Sequence, residues 1–507
     1  MQRSPTPQGT VDHERHYTQA VEMSEIAAHK SATKVRYQAC MPGRRSRPGI
    51  LLIRCRVGLS ELRYRDSRRY GSVHDRLAKE RMTRLAIIGT GYVGLTTGVC
   101  FAHLGHDVVC GDIDAGKVAR LSRGEVPIVE HRLDELLAEG LRNGNLRFVV
   151  GAAAAVADAE IVFLCVPTPQ GDDGSADLSY VEAAAREIAQ VLPYECIVVN
   201  KSTVPVGSTR VVERVLQRPD VRVVSNPEFL REGSAVDDFL RPDRVVVGCE
   251  DRSAAIAVGA LYDSIRAQVI VTDPASAETI KYAANAFLAT KLSFVNAIAA
   301  ICEGVGADVN DVMVGMGYDK RIGAEFLRPG PGWGGSCFGK DSRALLNIAR
   351  ETGYQFDLLA GVIAVNDEQF ERVTDKIRVA AGGSLQDAVI AVWGLTFKAR
   401  TDDLRDSPSV SIINRLLAAG ATVQAYDPTV SAIKPGVPAA VQVHDSAVSA
   451  ATGAHVLTVL TEWDDFRWVA AADVAVVMPG RAVVDGRNLL DRAAWQHAGF
   501  THTGIGR

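Results

Sequence analysis

From Thr83 to about Asp273, short apolar runs rich in β-branched residues alternate with longer stretches of helical period. Residues 85–88 read as a buried strand, and an apolar helix follows to about Leu104. A second strand, residues 107–110, leads to Asp112, and further strands are predicted at 161–166, 197–200 and 222–225. Residues 275–385 are mostly of helical period, broken by one glycine-rich loop. The alternation then returns, with strands predicted at 388–393, 422–426, 456–460 and 483–484 and a helix at 407–419. The pattern predicts an α/β protein: two doubly wound units, at 83–275 and 387–507, joined by a central helical region at 276–386 and preceded by an extension at 1–82.

The turn after the first strand reads GTGYVGL. Gly89, Gly91 and Gly94 stand at G-x-G-x-x-G spacing, with Tyr92 and Val93 between the second and third glycines. The first glycine suits a tight turn, the second lets the backbone approach a pyrophosphate, and the third lets helix and strand pack closely. Asp112 follows at the distance expected for an acid on a ribose 2′-hydroxyl. A carboxylate there repels a 2′-phosphate and Ile113 offers no cation to bind one, so NAD is expected rather than NADP. The competing reading is a glycine-rich turn that serves packing alone. Both units are expected to be Rossmann-like, but the second lacks the glycine spacing and should bind something else.

Thr168, Thr203 and Glu228 follow predicted strands, where open parallel sheets hold ligands, although such residues also end strands routinely. The loop PGPGWGGSCFGKD, residues 329–341, is the second strong signal. Its glycines require tight bends or close approach, and it delivers Cys337, Lys340 and Asp341 to the start of a helical pattern. A thiol beside a helix N-terminus and a lysine is expected to have a lowered pKa and to act as a nucleophile. Cys100, Cys110 and Cys165 fall in predicted buried elements and read as packing. Lys281 and Asn285 share one face of an apolar helix, as a functional pair or as a polar pair that fixes helix packing. In NPEFLRE, Glu228 and Glu232 stand four residues apart, and a plain reading makes Asn226 an N-cap and Pro227 the first helical residue.

The formal net charge of −4 conceals an asymmetry: residues 1–82 hold 17 Lys/Arg against 8 Asp/Glu, so the remainder is strongly acidic. The extension is weakly periodic and rich in turn formers. It admits three readings: a targeting segment, a nucleic-acid arm, or sequence upstream of the natural start. Its acids and lack of an apolar opening argue against targeting, and no aromatic pattern supports nucleic-acid recognition. A disordered tail, or a true start at Met82, is expected. The most apolar helix, residues 283–300, is interrupted by Lys291, Ser293 and Asn296, so no membrane span is expected. Nine cysteines without C-x-x-C pairs or His/Cys ligand spacing suggest reduced thiols in the cytoplasm and no metal site.

Taken together, GTGYVGL, GEVPIVE, VPTP, KSTVPVG, NPEFLREGSAVDDFLRPDR, the Lys281/Asn285 helix, YDKRIG, PGPGWGGSCFGKD and GLTFKARTDDLRDSP resemble the UDP-glucose/GDP-mannose dehydrogenase family over residues 82–491. The resemblance implies a four-electron oxidation of a nucleotide sugar at C6, consuming two NAD⁺. It implies UDP-glucose as substrate, favoured by SCFGKD and YDKRIG, with GDP-mannose or another nucleotide sugar as the alternative. An inactive binding protein is the distant alternative, and it would lack the nucleophile or base.

By the same resemblance, Asp112 and Lys117 would hold the adenosine ribose and pyrophosphate, and Thr168, Thr203, Glu232, Lys340 and Arg405 would complete the NAD site. Lys281 and Asp341 would accept the hydroxyl proton through a water, and Cys337 would form a thiohemiacetal and then a thioester. Lys281 and Asn285 would stabilise oxyanions, while Glu228 would assist hydrolysis with a water near Thr168. Phe229, Leu230, Arg231, Arg321, Phe326, Leu327, Arg328, Pro329, Gly330, Gly334 and Lys398 match positions that hold the nucleotide sugar, together with Glu228, Lys281 and Asn285. The central helices imply a homodimer or higher homo-oligomer, with Arg321 near the partner's site. One departure is Gly339, where the family usually has proline; glycine is expected to loosen the turn that aims Lys340.

Overall fold

The computed structural model describes residues 82–171 and 176–507, together with a strand at Leu51–Ile53. Most of the extension, where disorder is expected, therefore lies outside the described residues, which begin again at Met82. Within it, β1 (Leu51–Ile53) pairs antiparallel with a strand of the first sheet, which composition did not predict.

That sheet contains β2 (Arg84–Ile88), β3 (Asp107–Asp112), β4 (Leu146–Val150), β5 (Ile161–Leu164), β6 (Ile197–Asn200), β7 (Arg222–Ser225), β8 (Val245–Gly248) and β9 (Val269–Thr272). Its order is β1-β9-β8-β7-β6-β5-β2-β3-β4. From β4 to β7 every pairing is parallel, and β8 joins β7 in antiparallel sense. Parallel strands lie between two helical layers, so β2, β5 and β8 are buried almost throughout and read as unbroken apolar runs.

The second sheet holds β10 (Val389–Trp393), β11 (Thr422–Tyr426), β12 (Gln442–Val443), β13 (Val456–Val459), β14 (Ala482–Asp485) and β15 (Thr501–Thr503). Its order, β12-β11-β10-β13-β14-β15, is parallel throughout. Strands β4 to β7 of the first sheet follow the same scheme, the chain turning back beside its first strand. Each unit thus has a switch point, between β2 and β5 and between β10 and β13, and a crevice outside the strand ends there.

Helix α1 (Tyr92–His103) joins β2 to β3 in the first unit, and the central helices α2 (Pro274–Val305), α3 (Gly335–Glu351) and α4 (Asp357–Ala380) connect the two sheets along the chain. Helix α2 starts with Asp273 as N-cap and Pro274 in the first turn, and ends at Gly306 in the left-handed region. It is long and apolar enough to cross a bilayer by length and composition. Its inner face instead packs on α3 and α4, and it buries Lys281, Asn285 and Asn296, which hydrocarbon would not solvate. The loop into α3 is fixed from these helices. Asn296 Oδ1 accepts the Gly330 N–H (2.9 Å), Gln369 Nε2 donates to the Gly330 carbonyl (2.7 Å), and Asn366 bonds both backbone groups of Trp333 (2.8 and 3.0 Å).

Candidate active site

The turn after β2 is built for an anion. Gly89 has φ 92° and donates to the Gly111 carbonyl at 2.7 Å, and a Cβ on Gly94 would fall 1.9 Å from the Gly89 oxygen. Gly91 faces open space and caps α1 without a side-chain bond, leaving first-turn N–H groups for a ligand. Asp112, at the end of β3, accepts from the Thr90 N–H (2.9 Å), Thr90 Oγ1 (2.6 Å) and Lys117 Nζ (2.9 Å). Burial works against its charge, but these donors and the Asp114 N–H outweigh burial and hold its carboxyl down at about 2. An ionised acid with a lysine beside it, next to an uncapped helix start, fits the ribose and pyrophosphate of NAD. Across the switch point, Thr168 Oγ1 donates to the Thr203 carbonyl at 2.8 Å, which joins the loops after β5 and β6.

The catalytic candidates converge from three elements. Lys281 and Asn285 project from α2, Glu228 comes from the loop after β7, and Cys337, Lys340 and Asp341 come from α3. Lys281 Nζ meets Glu228 Oε1 at 2.9 Å, and both side chains are buried. Asn285 Nδ2 donates to Asp341 Oδ2 and Lys340 Nζ donates to Asp341 Oδ1, each at 2.6 Å. Burial opposes the charge on Lys281, yet Glu228, Cys337 and Asp341 together raise its pKa above the usual lysine range. Burial likewise opposes ionisation of Glu228, and Lys281 with the Leu230 N–H brings it below the usual carboxylate range.

Three expectations need correction here. The Cys337 thiol is pushed up, not down: burial is the largest cause and Glu228 and Asp341 add to it, against the pull of Lys281. The neighbouring Lys340 is turned to Asp341 instead. Helix α3 begins at Gly335, so Cys337 lies within its first turn and Gly339 is helical. Gly339 therefore does not slacken the aim of Lys340. A Cβ at Gly339 would lie 3.0 Å from both Arg343 Nη1 and Asp406 Oδ2, and proline would remove a helical N–H. Finally, residues 226–231 form no helix; the next one is Ala235–Leu240. Asn226 caps nothing, because its side chain bonds Lys201, Tyr262 and Val246.

Glu232 diverges from Glu228 and stands where all three regions meet. It accepts from Ser336 Oγ (3.0 Å) on α3 and from Thr401 Oγ1 and Arg405 Nη2 (each 3.2 Å) in the second unit. Burial, with Asp403 beside it, pushes its carboxyl up to about 7 against the pull of Arg405. The adjoining cleft is lined by Tyr92, Glu232, Thr401 and Arg405. Tyr92 is tied by its hydroxyl to Glu130, the last residue of GEVPIVE, and Glu130 also accepts the Ala235 N–H at 2.9 Å.

The candidate sugar-binding residues lie in two groups and one outlier. Gly330 and Gly334 line the seam with the second unit: a Cβ on Gly334 would fall 1.8 Å from the Asp406 oxygen. Lys398 Nζ lies 5.5 Å from the Phe397 ring centroid, and burial lowers its pKa. Phe229 carries the Arg244 guanidinium on its face at 3.5 Å, while Arg231 is held by Asp238. Leu327 is buried and Phe326 sits at φ 61°, its ring 6.4 Å from that of Phe338. Arg321 is the outlier, 89 % exposed and paired only with Asp319 among the described contacts. Sequence reasoning missed Arg487, which bonds the Leu460 and Phe397 carbonyls (2.8 and 3.1 Å) beside Gly330. It also missed Asn366 and Gln369, three residues apart on α4, whose spacing was the available signal.

Family models match along this whole assembly: the NAD binding domain of the UDP-glucose/GDP-mannose dehydrogenase family at 83–266, its central domain at 275–368 and its UDP binding domain at 391–492. The chain belongs to the UDP-glucose/GDP-mannose dehydrogenase family. It is 45 % identical over 441 residues to the UDP-glucose 6-dehydrogenase of Pseudomonas aeruginosa, covering 84 % of this chain and 97 % of that one. The Rhizobium meliloti enzyme of the same name is 44 % identical over 434 residues, covering 84 % and 99 %. Among solved structures, a UDP-glucose dehydrogenase from Pyrobaculum islandicum is similar with TM-score 0.78 and 36 % identity, over 84 % of this chain and 98 % of that one. A UDP-D-ManNAc dehydrogenase from Pyrococcus horikoshii follows with TM-score 0.75, 28 % identity and coverage of 84 % and 99 %. The family member described here is thus an NAD-dependent oxidoreductase with the expected α/β architecture.

Proposed function

We propose that this dehydrogenase oxidises UDP-glucose at C6 to UDP-glucuronate, with two hydride transfers on one active site. The observation that carries the reading is the convergence of Cys337 with Lys281, Asn285, Asp341 and Glu228 from two central helices and the loop after β7. NAD⁺, when bound, accepts a hydride in each oxidation. Asp341 takes the C6 hydroxyl proton through a water. Lys281, whose charge is favoured by its neighbours, acts as the oxyanion's partner rather than as the acceptor of that proton. Cys337 adds to the aldehyde, giving a thiohemiacetal with its oxygen toward Lys281 and Asn285. Loss of the second hydride, with the thiohemiacetal's hydroxyl proton passing out through the same water, leaves a thioester on Cys337. Glu228 then removes a proton from the attacking water near Thr168, and the thiol departs. Holding the aldehyde covalently explains how two oxidations proceed without its release. Arg487 and Lys398 supply cations for the diphosphate at the seam.

A homodimer is proposed on separate grounds. Phe287, Phe294, Ile301 and Val305 are exposed and share one face of α2, an apolar stripe that a second copy would cover. Pairing there would give the exposed Arg321 a place beside the partner's site. A reducing, cytoplasmic setting is proposed because the seven cysteines among the described residues are unpaired.

The test is the ratio of NADH formed to UDP-glucose consumed by purified enzyme, with GDP-mannose run alongside. Two NADH per UDP-glucose are expected, and Cys337→Ser should abolish net turnover. One NADH per sugar, or turnover of GDP-mannose alone, would overturn the reading.

A further inference from the structure

A buried lysine behind the catalytic cluster has no part in the chemistry above. Lys201 opens the KSTVPVG segment at the carboxyl end of β6 and is 4 % exposed. Burying an ammonium is costly unless it is paired or serves a purpose. Its Nζ donates to Asn226 Oδ1 at 3.1 Å and to the Tyr262 hydroxyl oxygen at 3.2 Å. The Tyr262 hydroxyl donates to the same Asn226 oxygen at 2.8 Å, and Asn226 Nδ2 donates to the Val246 carbonyl at 2.7 Å. The Asn226 backbone N–H is held by the Asn200 carbonyl at 2.9 Å. Residue 226 is thereby fixed from β6, from β8 and from Tyr262.

Glu228 leaves this anchor two residues later. Pro227 lies between them, and its ring restricts φ, so the position of Asn226 passes to Glu228 with little slack. Among the described residues, Glu228 itself is held at two points, Lys281 Nζ and the Leu230 N–H. When an oxyanion forms on the substrate, Lys281 must divide its charge between that oxygen and Glu228. Lys201 has no such second duty. The charged and titratable groups acting on it are Cys165, Glu228 and Lys281; burial is the strongest influence and brings its pKa down to about 8. Glu228 in turn feels Lys201 as a second cation after Lys281.

We infer that Lys201 is a positioning residue for Glu228, fixing the Asn226-Pro227-Glu228 turn and supplying a cation behind that carboxylate while Lys281 serves the oxyanion. The inference rests on Glu228 acting in thioester hydrolysis. Its signature is selective: hydride transfer should survive and release of the acyl group should slow.

Full-length Lys201→Met, Tyr262→Phe and Glu228→Gln enzymes are mixed with UDP-glucose and NAD⁺, with NADH followed from the first turnover and intact mass measured after quenching. Lys201→Met should give a burst approaching two NADH per active site and then turnover roughly 10- to 100-fold below the parent, with an acyl group on Cys337. Tyr262→Phe, the milder change, should shift the same way by less. Acyl accumulation in Glu228→Gln but in neither other variant would overturn the role of Lys201 and leave Glu228's role intact. Absence of the acyl group in Glu228→Gln would remove the hydrolytic assignment and the inference with it.

Discussion

In the first unit Gly89 follows β2 with φ 92°, and Asp112 at the end of β3 accepts the N–H and hydroxyl of Thr90. In the second, Gly394 follows β10 with φ 96°, donates to the Tyr426 carbonyl at 2.8 Å, and Asp427 after β11 accepts the N–H and hydroxyl of Thr396, each at 3.1 Å. The same turn is thus closed by the same kind of acid. What stands around it differs. Asp112 has Lys117 beside it and an uncapped helix starting at Tyr92. Asp427 is covered by Trp463, whose indole N–H reaches it at 3.1 Å, and it also takes the Leu395 N–H and both donors of Thr429. No helix begins at that turn; the next, Pro408–Ala418, starts well beyond it. Both acids are buried, but Asp112 takes four donors, one of them the part-exposed Lys117, whereas Asp427 takes six and is consumed in holding its own loop. The strand order alone therefore does not make a dinucleotide site: the helix start and the less fully engaged carboxylate beside Lys117 do.

The largest effect should come from breaking the closed turn. Asp427→Ala strands several buried donors and should cost about 3 kcal/mol, read as a lower unfolding midpoint. Asp112→Ala strands fewer donors, so the stability cost should be smaller, about 1 kcal/mol, while the KM for NAD rises roughly 10- to 100-fold with the sugar KM nearly constant. An unchanged NAD KM would end the comparison. Trp463→Phe removes one donor to a carboxylate and should cost about 1.5 kcal/mol without affecting NAD. The smallest effect concerns the seam between the units. Glu232 keeps a proton to about pH 7 when folded, against 4.5 as its ordinary value. Between those values the folded chain binds more protons than the unfolded one, so its contribution to stability falls as pH rises through that window. Glu232→Gln should flatten that slope, read as a smaller difference between unfolding free energies from urea titrations at pH 5 and pH 8.

What could be read from sequence followed from how locally it is determined. The Gly89 turn, the end of β3 and the helical character of α2 depend on neighbours in sequence, and all were legible. Strands β4, β8 and β9 and the short β12 and β15 escaped notice, because a few apolar residues become a strand only when a sheet accepts them. Asn226 looked like a helix cap until Lys201, distant in sequence, claimed its side chain. The thiol of Cys337 was misjudged for the same reason: its neighbour Lys340 was visible, whereas the carboxylates of Glu228 and Asp341 that crowd it were not. Gly339 was legible as unusual, but its effect depended on where α3 begins.

Helix α2 is a rod of 32 residues, on the order of 48 Å long, with Lys281 and Asn285 near one end and its exposed apolar stripe running toward the other. Reaction chemistry and the proposed pairing surface are therefore parts of one rigid body. On that pairing, the specific activity of dilute solutions should fall together with the dimer fraction. Rates measured at nanomolar enzyme would then report the assembly as much as the active site.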